Sequence, residues 1–180
     1  TFIARGGRGE WTDHEFHPTA RVGTLTEGMI IFDNVFVPWE RVFMCGEWQY
    51  SMLLAYTFAT FHRFTAISYK IPLVECAAGC AVAMARYNGL DKVSHIRNKL
   101  ADIAAYVETL KALTNAAARD PVMYGDIAVP NPLITNMGKL HFASKYHSFI
   151  QLIQDIGGGI IGTAPDRRDW EHPDLHDYLE

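Results

Sequence analysis

The sequence predicts a mainly α chain: an antiparallel helical bundle preceded by a short β piece. Three observations lead there. From about Trp48 onward, apolar residues recur every third or fourth position. Before that point, residues 1–43 are rich in Thr, Val, Phe and Gly, in short apolar runs closed by turns. Across the 180 residues, 49% are apolar and 20% charged, the balance of an ordinary globular domain. That balance excludes a disordered chain, which would be poor in large apolar residues. A net charge of −4 is the wrong sign for a nucleic-acid binder.

In the β piece, Arg21–Thr24 and Gly28–Phe32 look like short strands. Phe32 to Pro38 reads as a strand, an Asp-Asn turn and an apolar run stopped by Pro38. So few strands cannot close a sheet of their own. The expected layout is therefore residues 1–43 as the end of a β domain and 44–180 as an incomplete bundle. The chain opens on Thr1 and its β part is partial, so it is expected to be an interior slice of something longer.

The first helix carries Leu53, Leu54, Phe58, Phe61 and Phe64, and Pro72 should kink or break it at Ile71. Leu73–Tyr87 is dense in Ala and Gly, which lets another helix approach closely, and Asn88-Gly89 stops it. A third helix starts near Asp91, with a stripe of Ile96, Leu100, Ile103, Val107, Leu110 and Leu113. Residues 120–132 hold three prolines and read as a loop. Leu133–Ile156 returns to helical period until Gly157-Gly158-Gly159 ends it.

The three cysteines, Cys45, Cys76 and Cys80, form no secreted disulfide framework. Cys76 and Cys80, four residues apart, lack further ligands nearby and read as buried small apolar residues. The eight histidines show no metal-ligand spacing. No signal peptide is visible, and charges or proline interrupt the apolar stretches before a bilayer span is reached. The cytoplasm, with no membrane and no nucleic acid as partner, is the expected setting.

Four places can carry chemistry. His62 shares a helix face with Tyr69 and Lys70, seven and eight residues on, so the three can serve proton transfer in a cleft. The plain alternative is a surface or satisfied core histidine. Gln154 to Gly159 joins a helix end to glycines, which allow close backbone approach by a phosphate or an adenine, or simply stop the helix. Glu27, at a strand edge, is a candidate general base or a solvated turn residue.

The run Glu27 to Phe43, with Gly46-Glu47, Phe61-His62-Arg63, Lys70, Tyr87-Asn88-Gly89, Ser94 to Leu100 and Asp155 to Gly159, resembles the 4-hydroxyphenylacetate 3-hydroxylase family. The resemblance covers nearly the whole chain, and is nearest to its 4-hydroxybutyryl-CoA dehydratase / vinylacetyl-CoA isomerase branch. It implies an acyl-CoA dehydrogenase-like fold, in which this chain is the end of the middle β-barrel plus most of the C-terminal bundle. It implies a homotetramer with FAD, contacted by Gln154, Gly157 and Gly158. It implies His62 as general base, Glu27 as its proton partner and Lys70 as a charge-stabilising group. In the dehydratase branch the His62 position also ligates a 4Fe-4S cluster. Here, however, Tyr69 stands where that branch has a cysteine ligand, and Ala66 where it has a tyrosine. Two further cysteine ligands would lie upstream of this chain. A phenol, with a pKa of about 10, is a poor substitute for a soft thiolate, so no such cluster is expected.

The expected function is thus flavin chemistry on a short acyl-CoA. The alternatives are flavin-dependent hydroxylation of a phenol, as in the 4-hydroxyphenylacetate 3-monooxygenases, and a non-catalytic oligomerising module.

Overall fold

The computed structural model describes residues 2–5 and 28–179. They fall into two compact units: Thr1–Gly46 with Ala164–Glu180, and Glu47–Thr163.

In the first unit, strand β1 (Phe2–Arg5) pairs antiparallel with β2 (Gly28–Ile31), Phe2 opposite Ile31 and Arg5 opposite Gly28. The expected Asp-Asn turn follows at Asn34, the one described non-glycine residue with positive φ, at 48°. Asparagine tolerates that region better than most residues. The apolar run beyond it is not a strand; it leads into a 3-10 turn at Trp39–Arg41. The strand expected at Arg21–Thr24 lies outside the described residues.

The second unit is built on four long helices: α1 (Ser51–Ser68), α2 (Lys70–Tyr87), α3 (Ser94–Arg119) and α4 (Pro132–Gly157). The short helices are α5 (Ile160–Thr163) here, and α6 (Arg167–Trp170) and α7 (His176–Leu179) in the first unit. The core joins Ile67 of α1, Val74, Ala81 and Ala85 of α2, the α3 stripe, and Phe142, Phe149 and Ile156 of α4. Of that stripe Ile96, Ile103, Val107 and Leu110 are buried, with Leu100 packed at its edge. Alanines along α2 keep its backbone close to α3 and α4, as small residues allow.

Pro72 acts two residues earlier than the sequence suggests. The chain leaves the helix at Tyr69, and Pro72 sits in the first turn of α2. A proline ring clashes with the carbonyl four residues before it and cannot donate to it. Here that carbonyl belongs to Ser68, so the joint falls just after it. In a first turn the missing N–H costs little. The joint does not end the helical run. From Trp48 to Tyr87 it is long and apolar enough to cross a membrane by length and composition alone, contrary to the expectation that interruptions would prevent this. Only 17% of its apolar window is buried, and the run carries Arg63, Lys70, Glu75 and Arg86.

The loop expected at 120–132 contains a hairpin, β3 (Val122–Tyr124) with β4 (Ile127–Val129). Gly125, with φ of 60°, opens its two-residue turn. Gly-Asp between two apolar runs suits a turn with glycine first. At the start of α4, Asn131 accepts a hydrogen bond from the Ile134 N–H at 3.1 Å, and Pro132 follows it. Cys76 and Cys80 are exposed and free, not buried as expected. The inward stripe of α2 is Val74, Ala81 and Ala85, which turns both cysteines away from the core.

Candidate functional site

The helical run α1–α2 carries His62, Tyr69 and Lys70. His62 is exposed in the last two turns of α1, its ring stacked on Phe58 one turn back, with centroids 5.7 Å apart. Around it α1 shows solvent an aromatic and apolar face: Leu54, Phe58 and Phe61 are all exposed. Arg63, beside it, points to α4, where Nη1 donates to Asn136 Oδ1 at 3.3 Å.

Lys70 behaves differently. As the first residue of α2 it is half-buried, with Nζ 4.2 Å from the centre of the Phe142 ring on α4 and 5.8 Å from that of Tyr69. An ammonium over an aromatic face is attracted by the ring quadrupole. Burial, then the charge of Lys139 on α4, then a hydrogen bond with Lys139 hold its pKa below the ordinary lysine value. All three causes penalise the charged form. Eight residues of the helical run, about 12 Å of rise, separate Lys70 from His62, so the two do not touch. Ala66 is buried beneath this stretch, and Tyr69 is exposed. Glu27 lies outside the described residues.

Gln154, Gly157 and Gly158 gather at the end of α4 but face different ways. Gln154 and Gly158 are exposed, whereas Gly157 is buried. A Cβ on Gly157 would stand 2.7 Å from Ile161 Cδ1 and 3.0 Å from Met84 Sδ, so this glycine serves close packing against α2 and α5. Gly158 has φ of 69°, and a Cβ there would meet nothing within 4 Å. The backbone of Gly158 and the Gln154 side chain are both open to an incoming group. Asp155 is ion-paired with Lys99 of α3. The hydrogen bond from Lys99, then its charge, holds the Asp155 carboxyl below the usual range.

Among the described residues no group of three His, Cys, Asp or Glu side chains could hold a metal. Tyr69, seven residues after His62, presents a phenol, a poorer ligand for iron than a thiolate.

Sequence reasoning missed two features. One is Lys139; its signal was the spacing of three to Phe142, which puts both on the α4 face that meets Lys70. The other is a cleft of about 360 Å³ between α3 and α4, lined by Asp102, Tyr106, His141, Lys145, Ser148 and Phe149 among others. Inside it the buried Tyr106 hydroxyl donates to the Phe142 carbonyl at 3.1 Å. His141 Nε2–H donates to the Tyr106 carbonyl at 3.0 Å, and its ring stacks on Tyr106 with centroids 4.9 Å apart. Burial, then the neighbouring Tyr146, pushes the Tyr106 pKa up to about 12.

Comparison with known proteins fits this architecture. The family model described as HpaB, 4-hydroxyphenylacetate 3-hydroxylase C terminal, matches residues 51–180. The chain is 30% identical over 147 residues to a 4-hydroxybutyryl-CoA dehydratase/vinylacetyl-CoA-Delta-isomerase of Clostridium aminobutyricum, covering 81% of this chain and 30% of that protein. It is 29% identical over 168 residues to a 4-hydroxyphenylacetate 3-monooxygenase oxygenase component of Thermus thermophilus, covering 91% and 34%. The solved structure of an oxygen-tolerant archaeal 4-hydroxybutyryl-CoA dehydratase from N. maritimus superposes with a TM-score of 0.79 at 32% identity, covering 86% of this chain and 31% of that one. The helical bundle is therefore of the same fold as that dehydratase. The chain spans about a third of the length of these relatives.

Proposed function

This chain belongs to the 4-hydroxyphenylacetate 3-hydroxylase C-terminal family, and we propose that it is part of a flavin-dependent enzyme acting on a short acyl-CoA. Its relatives by name are a dehydratase/isomerase and monooxygenases, and one is named as FADH(2)-dependent. We take residues 1–43 as the end of a middle β-barrel domain and 44–180 as an incomplete C-terminal bundle. The assembly is taken as a cytoplasmic homotetramer.

One observation supports the choice of reaction: an exposed histidine on α1 and, eight residues on, a half-buried lysine packed over an aromatic ring of α4 lie along one helical run. Isomerisation of a β,γ-unsaturated thioester needs little more from the protein. His62 takes a proton from the carbon next to the thioester, the double bond moves one position towards the carbonyl, and the same imidazole returns the proton at the far carbon. No atom is gained or lost. Lys70 favours the negative charge that passes through the carbonyl oxygen. Glu27 is taken as the proton partner of His62. Gln154 and Gly158 hold the dinucleotide part of FAD, with Gly157 shaping the corner they share. When bound, the flavin supplies redox chemistry that side chains lack.

Tyr69 favours a second reading. Without a thiolate there, elimination of an unactivated hydroxyl has no Lewis acid, whereas hydroxylation of a phenol by reduced flavin and oxygen needs none.

The test uses the full-length protein that carries this chain. It is expected to be yellow, to convert vinylacetyl-CoA to crotonyl-CoA, and to show no cluster signal by electron paramagnetic resonance. Activity on 4-hydroxyphenylacetate with reduced flavin and oxygen, and none on vinylacetyl-CoA, moves the assignment to the monooxygenase. A colourless protein that neither binds FAD nor turns over either substrate leaves only the non-catalytic module.

A further inference from the structure

The cleft of about 360 Å³ between α3 and α4 takes no part in the function proposed above: none of His62, Lys70, Gln154, Gly157 and Gly158 lines it. Its floor is apolar and fixed. The buried Tyr106 ring stacks on His141 and on the buried Phe149, with centroids 4.9 and 4.6 Å away, and Ala105 and Leu152 complete the apolar lining. Its rim is charged. Asp102 stands on the α3 wall and Lys145 on the α4 wall, both exposed. Among the described residues neither has an ion pair or a hydrogen bond, whereas nearby Lys99 is joined to Asp155 and Lys111 to Glu75 and Glu108.

The register of the two helices explains why these opposite charges do not meet. The Lys99–Asp155 ion pair and the Tyr106–Phe149 stack fix which residues of α3 and α4 stand level. Asp102 falls level with Leu152, seven residues beyond Lys145 on α4. Seven residues of helix rise about 10 Å. The carboxylate and the ammonium therefore stand at opposite ends of the cleft, with the apolar lining between them. A single ion would answer one end and leave the other; a molecule with both charges answers each. Two polar groups stand near the ammonium end. The Tyr106 carbonyl can only accept, so His141 Nε2 carries the proton and Nδ1 is left without a partner among the described residues. The Ser148 hydroxyl, one turn from Lys145, is also without a partner among them.

We propose that this cleft binds a small zwitterion of the ω-amino acid class. Its ammonium lies at Asp102, its carboxylate at Lys145 and the Ser148 hydroxyl, and its methylene chain over Ala105, Phe149 and Leu152. Charge-assisted contacts of about 2.8 Å at each end leave about 4–5 Å between the ligand's own charges, the span of two or three methylene groups. An α-amino acid, with one carbon between its charged groups, is too short to reach both. The inference does not depend on the reaction proposed for His62 and Lys70.

The full-length protein that carries this chain is titrated with ω-amino acids from glycine to 6-aminohexanoate, followed by saturation-transfer NMR on the ligand. Acetate and propylamine are the single-charge controls. Affinity is expected to peak at two or three methylenes and to exceed that of either control at least about tenfold. Asp102→Asn and Lys145→Met, both at exposed positions, should each weaken the best ligand about tenfold. That ligand should raise the melting temperature of the wild type and not of the two variants. Asp102→Lys, which places an ammonium at both ends, should exchange the zwitterion for succinate. Binding of no member of the series below about 10 mM, an affinity indifferent to chain length, or wild-type affinity in both neutral variants overturns the proposal. So does an Asp102→Lys protein that still prefers the zwitterion to succinate.

Discussion

Tyr106 offers the sharpest check on how the bundle holds α4 in place, because α4 carries Lys139 and Phe142. Its hydroxyl is buried and donates to the Phe142 carbonyl at 3.1 Å. Tyr106→Phe removes that hydrogen bond and keeps the ring, so the net loss at neutral pH should be about 1 kcal/mol. The alkaline range tells more. The folded pKa is about 12, against 10.0 for an ordinary tyrosine. A folded pKa raised above the unfolded one means stability that is complete below pH 10 and falls as pH rises through 10 towards 12. Two pH units correspond to ~2.7 kcal/mol at most. Tyr106 lines a cleft open to water, which screens part of that penalty, so a loss of about 1–2 kcal/mol is expected over the interval. The assay is urea unfolding at a series of pH values, wild type against Tyr106→Phe. The two stabilities should converge and then cross as pH rises, since the variant has no phenol to ionise at this site. Parallel curves from pH 9 to 12 would show that Tyr106 is not held neutral by the fold.

Further outcomes follow from single side chains. His62→Ala should lower turnover at least about a hundredfold while leaving the melting temperature unchanged, since His62 is exposed; a loss of both would make it a structural residue. Thr135 is fully buried and its hydroxyl has no hydrogen-bond partner among the described residues. Thr135→Val should therefore stabilise the fold by about 1 kcal/mol in urea unfolding, and a destabilisation would reveal a partner for the hydroxyl. By carbon-detected NMR titration, the Asp155 carboxyl should titrate below the ordinary range and return to it in Lys99→Met; an unchanged midpoint would show that Lys99 does not set it. The stability this carboxyl adds is present above its unfolded pKa and is lost as pH falls through the folded one.

Periodicity made the bundle legible because a buried helix face repeats, and the repeat is written into the sequence. Ile96, Ile103, Val107 and Leu110 are inside as their spacing requires. The same logic failed for Cys76 and Cys80. Composition says that cysteine prefers the interior, but the face of α2 is decided by Val74, Ala81 and Ala85, and the cysteines project elsewhere. The hairpin at 122–129 was hidden by prolines that flank it rather than interrupt it. Lys139 was hidden for a different reason. Nothing local marks a lysine in mid-helix as special; its significance comes from Lys70, sixty-nine residues earlier, and only packing brings the two together.

The joint at Tyr69 ties these threads together. A continuous helix through Ser68–Leu73 would keep Lys70 inside a helix, its N–H bonded to the carbonyl of Ala66 and its side chain leaning back over the preceding turn. Pro72 forbids that continuity by its clash with the Ser68 carbonyl, and Ser68 turns its own hydroxyl to the Phe64 carbonyl at 2.8 Å. Lys70 then becomes the first residue of a new helix. There burial, then the charge of Lys139, disfavours a charged ammonium. A residue that looks like a helix breaker in the sequence therefore does something more specific. It sets where α2 begins, and so which side chain stands at its first position, over the Phe142 ring of α4.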